Sequence, residues 1–396
     1  MKGIYWRPRK VSRRTLVVLA VACIAGMAVL ELAPQRREVE HIAEKLSAAQ
    51  LAANGMDLLK TERLKRGHEI IPELDPAQTG LIGHSMSLVT SVPGHLGAKQ
   101  TSVNPNFAAV IVGMLRDAGV GKGDLVAVGC SGSFPALNVC VYSALETLEA
   151  RPVVIASAAA SQFGANIPDL MWVDMERELH TAGLISFRSV AASYGGFEDR
   201  GLGMSSAAKS LIADALARNN LSALKTKSLE AAIDRRMGIY RCESGGKPYQ
   251  AYVNIGGGAT SVGRTEGKHK YKPGLTITPD ADALSIDSVM TRFAANGVPV
   301  IHLVQVNELA AEHGLPVCPA VRPQPGSGGG FVAASYDRGL ALMFLIGLSL
   351  VLCGLVLTGF RRPLLRIAEL LHLHRRPQGP RLAEISVDAH GGELMV

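Results

Sequence analysis

Two long runs of apolar residues stand out along the chain. Residues 15–33 (TLVVLAVACIAGMAVLELA) and 339–360 (GLALMFLIGLSLVLCGLVLTGF) contain no basic residue, and the one charge in either is Glu31, close to the end of the first. A helix needs about 20 apolar residues to cross about 30 Å of hydrocarbon, so each run has the length of a transmembrane helix. The basic residues before the first run (Lys2, Arg7, Arg9, Lys10, Arg13, Arg14) also fit the start of a cleaved signal peptide. The run is longer than a usual signal core, however, and Glu-Leu-Ala-Pro-Gln-Arg-Arg is a poor cleavage site, so an uncleaved anchor is expected.

Between the runs the pattern changes twice. Over residues 36–65, apolar positions recur at helical spacing (Val39, Ile42, Leu46, Ala49, Ala53, Met56, Leu59) with no Pro, which predicts a helix leaving the membrane as a stalk packed on the domain. After Pro72, short apolar runs separated by Gly-rich turns alternate with helical stretches, the pattern of an α/β fold with a mostly parallel sheet. Helices are expected at 107–118, 135–149, 205–218 and 229–237, and strands at 124–128, 152–156, 252–255 and 298–304, the first two strands forming one βαβ unit. The glycines of residues 326–330 (GSGGG) read as a flexible tether. The expected layout is a tail (1–14), a span (15–33), a stalk (34–71), an outer α/β domain (72–325), a tether (326–338), a second span (339–360) and a second tail (361–396).

Charge fixes the orientation. Arg361, Arg362, Arg366, Arg375, Arg376 and Arg381 follow the second run, so both tails read as cytoplasmic in a bacterial cytoplasmic membrane and the domain as extracytoplasmic; Arg36 and Arg37 argue weakly the other way. Residues 34–338 carry 29 Lys and Arg against 29 Asp and Glu, so the formal charge of +7 belongs to the tails. Nucleic-acid binding loses its main support. Of six cysteines, Cys23 and Cys353 fall in the spans; Cys130, Cys140, Cys242 and Cys318 permit two disulfides or remain buried thiols, and their spacing has no metal signature.

Four stretches could carry chemistry. Gly129-Cys130-Ser131-Gly132-Ser133-Phe134-Pro135 sits between a strand and a helix, where backbone N–H groups and the hydroxyls of Ser131 and Ser133 could hold a carboxylate or phosphate. A nucleophilic serine and a tight turn without function are the other readings. The hydrolase elbow is G-x-S-x-G, and Ser133 stands where its last Gly belongs, while Gly83-His84-Ser85-Met86-Ser87 departs at the same position. Asn254-Ile255-Gly256-Gly257-Gly258-Ala259-Thr260-Ser261 follows another strand, and its three glycines allow a ligand close to the backbone. It resembles the phosphate loop of actin-like ATPases, but Asn254 replaces the Asp that would position a metal, so neither nucleotide nor cofactor is expected.

An acidic group (Asp174, Glu176, Glu198, Asp199) could do acid/base work or hold a divalent cation, or simply form a solvated face. A basic group (Arg264, Lys268, His269, Lys270, Lys272) is the best candidate contact for a polyanion, with a solvated loop as the alternative.

Together with Asn104-Pro105-Asn106-Phe107-Ala108-Ala109, Phe163-Gly164-Ala165-Asn166 and Asp174-Met175-Glu176, the glycine loops and the stretch from Val126 through Asn138 resemble the poly-gamma-glutamate system protein family over most of the outer domain. The resemblance implies a pathway rather than a reaction: an accessory membrane protein found beside the poly-γ-glutamate ligase and its small membrane partner. It carries over no catalytic residue. The function expected is synthesis or export of poly-γ-glutamate, the outer domain binding polymer through Ser131, Gly132, Ser133, Asn138, Asn166, Asn254, Gly256, Gly257, Gly258, Thr260, Ser261, Arg264, Lys268 and Lys270. The rival is a γ-glutamyl amide hydrolase or transferase using Ser131 or Ser133.

Overall fold

A computed structural model describes residues 13–32, 35–335 and 338–358; the side chains of 15, 35–38, 332–338 and 355–358 are outside the description, as are both tails. The chain forms two units, the terminal helices in one and Arg36–Ala334 in the other. In chain order the larger unit comprises α1 (Ile42–Lys65), α2 (Leu96–Ser102), α3 (Phe107–Asp117), β1 (Leu125–Ser131), α4 (Pro135–Thr147), β2 (Arg151–Ser157), α5 (Trp172–Thr181), β3 (Ala191–Ser193), α6 (Ser206–Arg218), β4 (Ala223–Leu224), α7 (Leu229–Ser244), β5 (Ala251–Ile255), α8 (Ala259–Val262), α9 (Arg264–Lys268), β6 (Gly274–Thr276), α10 (Val289–Ala295), β7 (Val300–Leu303) and α11 (Val306–Glu312).

These seven strands form one sheet in the order β6-β7-β5-β1-β2-β3-β4, parallel except for β6 against β7, and the short strands Thr90–Val92 with Ala160–Ser161 and Asn166–Ile167 with Leu170–Met171 pair outside it. The α/β class with a mostly parallel sheet is therefore as the alternation of runs predicted. Alternation along each strand assigns its two faces. Val126, Val128, Cys130, Val154, Ala156, Val253 and Ile301 bury against α1, α3, α4 and α5. Leu125, Ala127, Val153, Ile155, Tyr252 and Val300 bury on the opposite side against α7 and α10, where the Tyr252 ring stacks on Phe293 at 4.9 Å. The chain steps outward from β1 to β4 and then returns to β5 on the other side of β1. Such a reversal opens a crevice at the carboxyl ends of the strands, between β1 and β5.

Two segments differ from expectation. The supposed stalk is a core helix: Ala48, Ala52, Met56 and Leu59 of α1 are buried in the main hydrophobic cluster. A Cβ added at Gly55 would lie 3.1 Å from Val139 Cγ1 and 3.1 Å from Leu179 Cδ2, so small residues let α1 approach α4 and α5 closely. Arg63, 1% exposed, donates to the carbonyls of His68, Glu69, Gly80 and Ile82, tying the following loop to the helix. The glycines at 326–330 are packed, not slack. The Gly326 N–H donates to Asn106 Oδ1 (3.0 Å), and a Cβ at Gly329 would stand 2.7 Å from the His313 carbonyl oxygen.

In the smaller unit the helices run Arg13–Leu32 and Arg338–Thr358. Leu19, Cys23, Gly26 and Leu30 are the less exposed residues of the first, and Gly26 lies against the Phe344 ring of the second. Most other apolar side chains, among them Leu16, Val21, Ile24, Leu345 and Leu350, are exposed. Among the described residues no helix is long and apolar enough to cross a membrane.

Candidate functional site

The two glycine loops singled out in the sequence meet at the crevice. The first follows β1, the second follows β5, and a Cβ added at Gly256 would stand 3.6 Å from both Ser131 Cβ and Phe134 Cδ2. One row deeper, a Cβ at Gly129 would lie 2.5 Å from the Tyr252 hydroxyl oxygen, which itself donates to Ser261 Oγ (3.2 Å). Glycine at 129 is what lets β1 and β5 carry this tyrosine between them.

Their backbones are used differently. In the first loop the Gly132 N–H donates to the Ser157 carbonyl (3.0 Å), the Ser133 N–H to Ser131 Oγ (3.2 Å) and the Phe134 N–H to the Ser131 carbonyl (3.3 Å). Asn138, fully buried in the first turns of α4, clamps the same Ser131 carbonyl through Nδ2 (2.9 Å). The loop's own N–H groups are thus occupied. Ser131 Oγ receives the Ser133 N–H, and Ser133 Oγ receives the Ser161 N–H (3.0 Å). No His, Lys or carboxylate side chain among the described residues hydrogen-bonds to either hydroxyl; Lys99 comes nearest, on the Ser133 carbonyl.

The second loop is open. Gly256 N–H donates to the Leu303 carbonyl (3.0 Å), but the N–H groups of the exposed Gly257 and Gly258 have no acceptor among the described residues. Successive free N–H groups in a glycine turn make a concavity suited to an anion. Over Gly257 lies the Lys268 side chain, its Cε 3.4 Å and Nζ 3.8 Å from where a Cβ would be. Beneath, Asn254 Nδ2 donates to the Gly256 carbonyl (2.6 Å) and to His302 Nδ1 (2.9 Å), fixing the turn from below. Burial lowers the His302 pKa to about 4, with the nearby Lys268 and His269 charges adding to it and the Lys268 backbone opposing it. The ring is neutral at pH 7 and sets no positive charge of its own there.

Ser131, Ser157 and Ser193 are register partners at the carboxyl ends of β1, β2 and β3. The last two join a buried ion pair: Arg236 Nη2 lies 2.7 Å from Asp199 Oδ2 and donates to Ser157 Oγ (3.1 Å) and Ser193 Oγ (3.0 Å), while both hydroxyls donate to Asp199 Oδ1. On the opposite side of the β1 loop, Lys99 is 3% exposed and has no carboxylate partner among the described residues. Its Nζ donates to the Ser133 carbonyl and to Ser161 Oγ (3.0 Å), and it sits 3.5 Å from the Phe134 ring centroid. Burial lowers its pKa to about 7.

The remaining expected residues disperse. Asn166 is a structural pin, exchanging hydrogen bonds with both backbone groups of His84 and donating to Thr90 Oγ1. Thr260 is buried, its hydroxyl without a partner among the described residues. The acidic four do not form one cluster. Asp174 caps the start of α5 and binds Arg218 and Asn219. Glu176 is buried between the hydroxyls of Tyr142 (2.6 Å) and Ser189 (2.7 Å), its pKa pushed up by burial.

Glu198 pairs with Arg200 and with Arg264 of the basic group, and Asp199 belongs to Arg236. Among the described residues no group of three or more His, Cys, Asp or Glu is placed to hold a metal ion. Lys270 is held by Asp282 (2.6 Å), leaving Lys268 as the basic residue that faces the open loop. The described cysteines are free thiols, Cys130 and Cys140 in the core and Cys242 and Cys318 exposed.

Nothing in the sequence singles out Lys99, Arg236, Ser161 or His302. For Ser157 and Ser193 the sequence signal is that the segments Leu-Val-Ala-Val-Gly-Cys-Ser, Arg-Pro-Val-Val-Ile-Ala-Ser and Ala-Ala-Ser each end in Ser, at Ser131, Ser157 and Ser193. No family model, no curated protein and no solved structure matches the chain.

Proposed function

We propose that the chain is a two-span membrane protein whose α/β domain stands outside the cytoplasmic membrane and receives carboxylates of an anionic polymer at residues 256–258. The motifs' resemblance makes that polymer poly-γ-glutamate and the chain an accessory of its synthesis or export, working beside the ligase and its small membrane partner. The observation that carries the reading is the pair of unoccupied N–H donors at Gly257 and Gly258 beneath the Lys268 side chain, at the crevice where a parallel sheet takes its ligands. Gly257 and Gly258 are exposed, as a chain passing across them requires. For the membrane, support comes from the two apolar runs of the sequence and from the exposure of described apolar side chains on the terminal helices, among them Leu16, Val21, Ile24, Leu345 and Leu350. In water such surface is costly, and in lipid it is not.

The test is a calorimetric titration of the full chain, in detergent, with poly-γ-glutamate. A hydrogen bond to a charged partner contributes about 1.5–3 kcal/mol, so Lys268→Ala should weaken binding roughly tenfold to a hundredfold. Added salt should weaken it further. Absence of binding by the wild type, or an unchanged affinity in Lys268→Ala, would remove the proposal. Against the rival, among the described residues no base hydrogen-bonds to the hydroxyl of Ser131 or Ser133.

A further inference from the structure

A lysine this deep in a protein normally finds a carboxylate, because an unpaired buried ammonium is expensive. Lys99 instead ends between a backbone carbonyl, an aromatic face and one hydroxyl, that of Ser161, 3.0 Å away. Ser161 lies in the two-residue strand Ala160–Ser161, just beyond the carboxyl end of β2, which pairs in parallel with Thr90–Val92. Its N–H is fixed by Ser133 Oγ, and the Gln162 N–H that follows is fixed by the Val92 carbonyl. Phe163, two residues on, has φ +62°, a left-handed backbone that a bulky residue seldom adopts. Strained residues beside a polar pair are a recurrent feature of reactive sites. Ser161 keeps 6% of its surface accessible, flanked by the half-buried Ser133, Phe134 and Gln162.

We propose that Ser161 and Lys99 are a nucleophile and its base, acting on an amide or ester carbonyl. Burial supports the role by lowering the lysine pKa to about 7, so that a substantial fraction is neutral near neutral pH. Lys99 Nζ takes the Ser161 hydroxyl proton as Oγ bonds to the carbonyl carbon. The bond from that carbon to the leaving nitrogen or oxygen breaks, and the leaving atom takes the proton back from Nζ. Water then adds to the acyl-serine, Lys99 again accepting and returning the proton, to release a carboxylic acid and restore Ser161. The Phe134 ring touches both this pair and the loop at 256–258, but the acyl transfer proposed here does not depend on polymer binding at that loop.

The experiment treats the full chain in detergent with an alkyl fluorophosphonate and maps the adduct by peptide mass, following the labelling rate from pH 5.5 to 8.5. The wild type should be labelled at Ser161, with a rate that rises through a midpoint near the lysine pKa. Ser161→Ala should not be labelled. Lys99→Arg keeps a hydrogen-bonding cation but no usable base, and should slow labelling by about 100-fold or more while the melting curve shows a folded protein. Labelling at Ser131 or Ser133, no adduct at Ser161 in folded wild type, a rate independent of pH, or a wild-type rate in folded Lys99→Arg would each overturn the proposal. Poly-γ-glutamate affinity should be unchanged in Ser161→Ala, which separates a failure here from a failure of the binding reading.

Discussion

The loops after β1 and after β5 look alike in sequence, each a strand running into glycines and hydroxyls, yet they do opposite things with their backbones. In the first, the N–H groups of Gly132, Ser133 and Phe134 all have acceptors within the protein. In the second, Gly257 and Gly258 offer theirs to solvent. Glycine serves close packing in one case and exposure of donors in the other. Gly132 is needed because a Cβ would stand 2.9 Å from the Ala158 carbonyl oxygen, whereas around Gly258 nothing among the described residues lies within 4 Å. Glycine content therefore does not mark a ligand loop; unoccupied donors do.

The largest expected effect concerns what lies under each loop. Below the second are Asn254 and His302; below the first, the Ser131 carbonyl is held by the amide of Asn138, which does not titrate. The folded-state pKa of His302 is depressed from about 6.5 to about 4, its other charged neighbours being Lys268 and His269. Between those values the unfolded chain binds a proton that the folded chain does not. Stability present above pH 6.5 is thus lost as pH falls toward 4, by about 3 kcal/mol at most. Denaturant unfolding at pH 7 and pH 4.5 should show this loss, and His302→Gln should shrink it. An equal loss in His302→Gln would mean that the acid sensitivity lies elsewhere.

Next in size is Gly132→Val. The added side chain meets the carbonyl oxygens of Ala158 and Ala159 at 2.9 and 3.3 Å, and these are backbone atoms that cannot rotate away. Overpacking of this kind costs about 2 kcal/mol, to be read as a lower melting temperature. Polymer affinity measured below the new melting temperature should hardly change, since this loop donates no free N–H. A folded variant with lost affinity would place the binding site on the first loop after all and erase the contrast.

Much of the fold was legible because buried parallel strands write themselves as apolar runs. β1, α4, β2, β5 and β7 all appear within a few residues of their expected places. The outer strands β3, β4 and β6 are two or three residues long and leave no run to find. The helix α1 was legible as a helix but not as core: an alanine-rich face reads the same whether it leans on a domain or fills one. At the site, both loops could be found because glycine and serine between a strand and a helix are a local signal. Lys99, Arg236 and His302 could not, since each comes from a separate segment and acquires meaning only through sheet register and helix packing. Asp199 and Glu198 were legible as charges, but Arg236, which binds Asp199, and Arg264, which joins Arg200 on Glu198, lie 37 and 66 positions away.

The smallest expected effect is the sharpest test of the comparison. Gly258 has φ −61° and ψ 129°, a conformation open to any residue, and a Cβ there meets nothing within 4 Å among the described residues. Replacing it by Ala reduces the freedom of the unfolded chain without strain in the folded one, so Gly258→Ala should raise stability by about 0.5 kcal/mol. The backbone N–H survives the change. If the loop works through that donor, affinity for poly-γ-glutamate should remain within about twofold of the wild type, in contrast to the loss expected for Lys268→Ala. A marked loss of affinity in this stable variant would show that the ligand occupies the space of the missing Cβ. The second loop would then resemble the first, its glycine required for close approach rather than for its free N–H.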